Sequence, residues 1–270
     1  MRIFGRYKSG DFMHRYFIQL AYNGSNYHGW QIQPNANSVQ SELEKALSIL
    51  LRESVSVIGA GRTDTGVHAS FFVAHFEVSN PIFDNKQLKY KLNRFLPGDI
   101  RIDTIFKVDS NMHARFSATS RTYRYFLTSS KEPFRNNTTA FMPYELDLTL
   151  MSKAVEILYS TSDFTSFSKL HTDVKTNICK ISKAEWTTHN GLMVFEISAD
   201  RFLRNMVRAI VGTLIDLGRE KISIEDFQQI IDNKDRRLAG ASAEAKALFL
   251  VDITYPEPIN DLFLRTNYIF

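Results

Sequence analysis

Residues 59–69 read GAGRTDTGVHA, which places one carboxylate, Asp64, two residues after a guanidinium, Arg62, among glycines at 59, 61 and 66. The apolar runs SVSVI and FFVAHFEV flank this stretch, so it reads as a turn between two strands. Such a turn presents its side chains at a sheet edge, where reacting groups commonly sit. A nearby cation favours the ionised carboxylate, the form that acts as nucleophile or base. A structural role is equally open here, because an Asp in a Gly-rich turn also bonds its own backbone. Other chemistries fit less well. The stretch has no second acid for a glycosidase pair, and its glycines form neither a Walker loop nor a dinucleotide fingerprint. The histidines at 14, 28, 68, 75, 113, 171 and 189 have no metal-type spacing, so no metal and no cofactor are expected. His68 reads as a packed, hydrogen-bonded residue.

Two further stretches carry cations. HARFSATSRTYRY (113–125) interleaves Arg115, Arg121 and Arg124 with Phe116, Tyr123 and Tyr125. Basic groups hold phosphates and aromatic faces stack on bases, so this mixture suits looped or single-stranded RNA. An ordinary strand with a polar outer face has the same pattern. Strand alternation puts Tyr123 and Tyr125 on one face and Arg124 on the other. In DRFLRNMVRAIVGTLIDLG (200–218), Leu203, Met206, Val207, Ile210, Val211 and Leu214 form an apolar helical face. On a helix over 201–217, Arg201, Arg204 and Arg208 share a neighbouring stripe that either clamps an RNA backbone or faces solvent. Arg208, nearest the apolar run, is the candidate for a buried ion pair.

The elements that must position these groups follow from periodicity and caps. Strands are expected at 15–24, 54–60, 70–78, 100–108, 120–130, 176–188, 192–199 and 247–255. Helices are expected from Asn37, where Asn37 and Gln40 have capping-box spacing, at 85–96, from Asp147 to Tyr159, at 201–217, and after Ser223 with its Ser-x-x-Asp cap. Short hairpin turns join several strand pairs. The fold class is therefore α+β, with a mixed or antiparallel central sheet flanked by helices. KEPFRNNTTA (131–140) reads as a connection between two halves of similar rhythm, residues 15–130 with the Asp64 loop and 140–256 with the Arg-rich helix; 1–14 and 257–270 are terminal extensions.

The 270 residues are 44% hydrophobic, enough for a large core, and no apolar run is long enough to span a membrane. The basic N-terminus lacks the apolar centre and cleavage site of a signal peptide. A single cysteine, Cys179, forbids an intrachain disulfide and fits a reducing, cytoplasmic location; it reads as a core residue. The net charge of +4 permits a nucleic-acid partner without demanding one.

Taken together, YNGSNYHGWQIQP (22–34), GRTDTGVHA (61–69), NRFLPGDI (93–100), HARFSATSRTYRY (113–125), DFTSF (163–167) and FLRNMVRAIVGTL (202–214) resemble, in order, the tRNA pseudouridine synthase A family. The resemblance runs from about Arg15 to Pro256; AGASAEAKALFL (239–250) follows the family's last motif loosely, with Ala247 where a glycine is common. It implies the pseudouridine synthase fold with two similar α/β halves. It also implies cofactor-free isomerisation of uridine to pseudouridine in the anticodon arm of tRNA, typically at positions 38 to 40, by a homodimer. By the same resemblance Asp64 is the catalytic carboxylate, Tyr123 stacks on the target base, and Arg208 pairs with Asp64. Arg62, Arg201, Arg204 and Arg121 are expected at the substrate, with Leu250 in the apolar wall behind the base. The loop with Tyr27, His28 and Trp30 is expected to serve RNA contact or dimer packing. A non-catalytic tRNA-binding protein is the competing expectation, and a carboxylate hydrolase a weaker one.

Overall fold

A computed structural model describes residues 13–169 and 176–265. Of the described residues of the extension 1–14, Met13 and His14, the second enters a regular element; His171 lies outside the described residues.

The first half runs β1 (His14–Tyr22), α1 (Val39–Leu51), β2 (Val57–Gly59), β3 (His68–Val78), α2 (Asn85–Phe95) and β4 (Ile100–Lys107). The second runs β5 (Ser120–Thr128), the short β6 (Ala140–Phe141), α3 (Leu148–Ser160), β7 (Ile181–His189), β8 (Leu192–Ala199), α4 (Met206–Gly218), α5 (Ile224–Asp232) and β9 (Leu248–Thr254). The sheet order is β4-β1-β3-β9-β5-β8-β7, with β2 on β3 and β6 on β5. Each half is thus a β-α-β-β-α-β unit whose fourth, first, third and second strands lie side by side, the split βαβ arrangement. The expected mixed sheet and paired halves are present. Most ladders are antiparallel; β3–β9 is parallel and only two residue pairs long, His68–Phe249 and Ala69–Leu250. That short ladder is the seam, and β3 shares the same edge with β2 through Ala74–Phe76.

The helices cover the halves separately. Leu43, Ala46 and Leu47 of α1 and Leu88 and Leu92 of α2 are buried in a first core with Ile18, Leu20 and Phe72. Met151, Val155 and Leu158 of α3, Ile210 and Leu214 of α4 and Phe227 of α5 form a second with Tyr125, Leu127 and Phe195. Tyr123 packs against both. The cap of α1 is one residue later than its spacing predicts. Ser38 and Ser41 form the capping box, while Asn37 is drawn off to the loop, its Oδ1 paired with His28 Nδ1 and its Nδ2 donating to Asn26 O. The Ser223–Asp226 box of α5 forms as expected. The strand expected from 176 begins only at Ile181; before it, Ile178 makes one isolated bridge to Asp163.

The described part of the C-terminal extension, given no role by the sequence, packs across the sheet. Phe263 lies against Phe17, Phe71, Phe106 and Tyr255, and Gln19 exchanges two hydrogen bonds with the backbone of Leu264 at 2.6 and 2.9 Å. Cys179 is buried and burial pushes its thiol up to about 11, as befits a core residue. Among the described residues no helix is long and apolar enough to cross a membrane.

Candidate active site

Asp64 sits on residues 60–67, between β2 and β3, and the loop after β1 holds that turn from behind. Trp30 N–H donates to Thr63 O at 3.4 Å and Gly66 N–H to Tyr27 O at 3.3 Å. The backbones approach so closely that only glycine fits. Gly29 has φ +94°, and a Cβ there would lie 2.2 Å from Thr63 O; at Gly24 it would lie 2.0 Å from Val67 O. Tyr22 and Thr63 pair their hydroxyls at 2.9 Å. His68 closes the arrangement, its Nδ1 accepting from Gly24 N–H at 3.0 Å and its Nε2 facing Lys246 O at 2.9 Å. Those partners define the neutral Nε2–H tautomer, and burial keeps the ring's pKa low. His68 is thus the packed residue expected. The expectation for the 22–34 loop is corrected: Tyr27 and Trp30 are buried, Trp30 stacking on Phe72 at 4.2 Å, and of the three only His28 is exposed. Tyr27 and Trp30 are taken up in packing behind the Asp64 turn.

The cations around Asp64 come from the other half. Arg208 Nη1 lies 3.6 Å from Oδ2, and Arg204 Nε lies 3.7 Å from Oδ1. Arg62, the sequence neighbour, is exposed, and the ion pairs found on Asp64 are those of Arg204 and Arg208. Arg208 is itself fixed. Its Nε–H donates to Ala243 O at 2.7 Å, and Ala243 N–H donates to Arg208 O at 2.9 Å. Asn205 Nδ2 donates to Ser242 Oγ, and Arg236 donates to Ala239 O, Gly240 O and Ser242 Oγ. The loosely matching 239–247 segment is therefore the strap that orients Arg208.

The single arginine stripe is not formed. α4 starts at Met206, so Arg201 and Arg204 lie on irregular backbone ahead of it. Asn205, at φ 66°, is left-handed and ends any continuous helix, a conformation asparagine tolerates. One local and one tertiary partner take up the preceding backbone: Arg201 N–H donates to the adjacent Asp200 Oδ1, and Lys169 N–H to Arg204 O. Arg204 thereby turns to Asp64, with its side chain still 55% exposed.

Tyr123 reaches the site from β5. It lies opposite Leu250 of β9 and Ile197 of β8, and its ring meets Phe202 edge-on at 5.1 Å. The β5–β9 ladder shifts register between Thr122 and Tyr123, a bulge beside the site. Burial pushes the Tyr123 phenol up to about 12; Arg121 pulls it down and the Asp64 charge pushes it up. At neutral pH the phenol is protonated and offers a face and a donor. Leu250 is buried at the seam, paired with Ala69. Arg121 departs from its expected role as a substrate contact. Its Nη1 donates to Ala118 O at 2.9 Å and Asp200 O at 2.8 Å, its Nη2 to Arg115 O at 2.5 Å and Ala60 O at 3.4 Å. The guanidinium ties four backbone carbonyls from three segments together around Tyr123. On the opposite face, Arg124 is bound to Glu196 at 2.5 Å.

A carboxylate between two guanidiniums and near a protonated tyrosine is a site for acid–base or nucleophilic chemistry on a planar group. A sequence profile of the family described as tRNA pseudouridine synthase matches residues 19–117 and 154–256. A protein of Parabacteroides distasonis named tRNA pseudouridine synthase A is 54% identical over 252 residues, spanning 92% of this chain and all of the relative. Proteins of the same name from Bacteroides thetaiotaomicron and Porphyromonas gingivalis are 56% and 51% identical, over 92% and 93% of this chain and 93% and 100% of the relatives. With its split βαβ halves and its Asp64 turn inside the matched region, the chain belongs to the tRNA pseudouridine synthase family.

Proposed function

We propose that this chain isomerises uridine to pseudouridine in the anticodon arm of tRNA, at positions 38 to 40, with Asp64 as the catalytic carboxylate. The observation that carries the reading is Asp64 itself, a part-exposed anion within 3.7 Å of two guanidiniums from the other half of the fold. In the reaction the C1′–N1 bond breaks, the uracil turns, and a C1′–C5 bond forms. N1 gains a proton and C5 loses one to solvent, so no redox partner or energy source enters the balance. Asp64 supplies the anion, as nucleophile or as base. Arg208, 3.6 Å away, holds it aimed, which favours catalysis through positioning more than it favours stability. Tyr123 stacks on the base and offers its phenolic proton, and Leu250 closes the pocket behind.

A uridine stacked in an RNA stem must first be flipped out, at a cost of about a few kcal/mol. Arg62, exposed at the mouth of the turn, is suited to fill the vacated space or hold the flipped nucleotide's phosphate. Arg201 and Arg204 add charge for the backbone. The resemblance extends the reading to a cytoplasmic homodimer whose two subunits frame the anticodon arm, and light scattering checks that assembly. The test of the activity is tritium release from tRNA transcripts labelled at uridine C5. Wild type should release tritium, and Asp64→Ala should bind tRNA without releasing it. Release at a near-normal rate by the variant would remove Asp64 from the chemistry; binding without release by both proteins would leave a tRNA-binding protein.

A further inference from the structure

Phe116 is 75% exposed, yet the backbone that carries it is tied by several hydrogen bonds. His113 Nδ1 accepts from the backbone N–H of both Arg115, at 3.1 Å, and Phe116, at 3.3 Å. Ser117 N–H donates to His113 O, and His113 N–H to Ser117 Oγ, both at 2.9 Å. Ala114 between them is buried, its N–H donating to His75 Nδ1 and its carbonyl accepting from Tyr255 Oη at 2.6 Å. The His113 ring lies 4.3 Å from the Phe116 ring, and the Arg115 guanidinium 5.5 Å from its centroid. A solvated turn needs no phenylalanine for its own geometry, and an exposed loop side chain is ordinarily left mobile. Here a flat apolar face stands in water on a hydrogen-bonded turn, with a ring on one side and a cation near it.

Its location gives that face a use. Arg121 Nη2 donates to Arg115 O at 2.5 Å and to Ala60 O at 3.4 Å. One nitrogen therefore joins this turn to the first residue of the Asp64 loop, with exposed Arg62 two residues further on. An exposed aromatic face with an adjacent guanidinium matches the chemistry of an unpaired nucleobase and its phosphate, since every base has a π-face and stacking tolerates any sequence.

We propose that Phe116 and Arg115 form a stacking subsite for an unpaired nucleobase of the RNA, close to the uridine that enters the Asp64 site. This rests on the RNA-modifying reading above. Phe116 supplies the stacking face and Arg115 meets the adjoining phosphate. His113 positions both, through the two backbone donors on its ring nitrogen.

The test uses the full chain and tRNA transcripts carrying 2-aminopurine at each anticodon-loop position in turn. Wild type should quench one position on binding. Phe116→Ala and Phe116→Leu should lose that quench and bind about five- to a hundredfold more weakly, whereas Phe116→Tyr should keep both. Leu retains bulk without a π-face, so its failure separates stacking from loss of fold. The salt slope of binding should be unchanged in Phe116→Ala and fall by about one in Arg115→Ala. Equal affinity and equal quench in wild type, Phe116→Ala and Phe116→Leu would overturn the subsite, even if tritium release proceeds. A Phe116-dependent quench without tritium release would keep the subsite and sink the isomerase reading. Failure of wild type to bind tRNA would sink both.

Discussion

Replacing Arg121 by methionine separates its two roles, phosphate contact and internal tie. Methionine keeps the apolar stem and removes the guanidinium. Four carbonyls then lose their donors: those of Ala118 and Ala60 are part-buried, and those of Asp200 and Arg115 are open to water. Hydrogen bonds from a charged group are worth roughly 1.5–3 kcal/mol each, and water replaces most of the exposed pair. The remaining loss is about 3 kcal/mol. With a urea m-value near the top of its usual range for a chain this long, about 3 kcal/mol/M, the midpoint should fall by about 1 M. Arg121→Lys should lose nearly as much, because one ammonium cannot span carbonyls that the planar fork reaches in two directions. The assay is urea unfolding followed by circular dichroism, paired with tRNA binding across salt concentrations. An unchanged midpoint together with a salt slope reduced by about one would refute the internal tie and restore Arg121 as a phosphate contact.

Arg208→Gln should lower turnover by about a hundredfold or more, with a smaller effect on tRNA affinity, because Asp64 loses its aim; the 239–247 strap should also exchange its amide hydrogens faster, and unchanged exchange there would count against the strap. Gly29→Ala should destabilise by about 2–4 kcal/mol, since the position needs φ +94° and has no room before Thr63 O; a thermal melt within error of wild type would contradict the close approach. Burial holds His75 down to about 4, with help from His113 and Arg15, against about 6.5 in the unfolded chain. Between those values the unfolded state binds more protons, so stability rises with pH through the window and falls by about 2 kcal/mol on acidification from pH 6.5 to 4. His75→Asn, which keeps an acceptor for Ala114 N–H, should flatten that dependence; an equally steep loss would assign it to other groups.

Periodicity made most elements legible, because buried faces impose it. α2, α3, α5 and the strands β1, β3, β4, β5 and β8 lie within a few residues of the expected spans. The misses share a cause, a tertiary partner overriding a local signal. Asn37 has the spacing of a cap, but His28 and Asn26 claim its side chain, and Ser38 takes the role. The stretch 201–205 carries helical spacing, but the left-handed Asn205 and the contacts of its neighbours break it. For the site, the pairing of Arg208 with Asp64 was anticipated through the family resemblance. Arg204 as a second cation on Asp64, the strap held by Asn205 and Arg236, and the diversion of Arg121 were not. Each depends on which carbonyls and carboxylates long-range packing brings within reach, and no spacing along the chain reports that.

The repeated halves also explain why there is one such site and not two. In the first half, the connection between the second and third strands of the unit is the stretch 60–67 that carries Asp64. In the second half, the corresponding β7–β8 connection is Asn190–Gly191, with φ 48° and 76°, a two-residue turn with both residues left-handed. It has no room for a presented acid. The two copies have divided the work: one supplies the carboxylate on a long turn, the other the cations and the tyrosine. These meet where β3 and β9 touch for only two residue pairs. The strands on either side of that short seam keep the facing groups fixed. Extending the Asn190–Gly191 turn should therefore leave turnover unchanged, whereas shortening 60–67 by even two residues should abolish it by withdrawing Asp64 from Arg208. Activity that survives the shortened loop would mean the acid does not act at the seam.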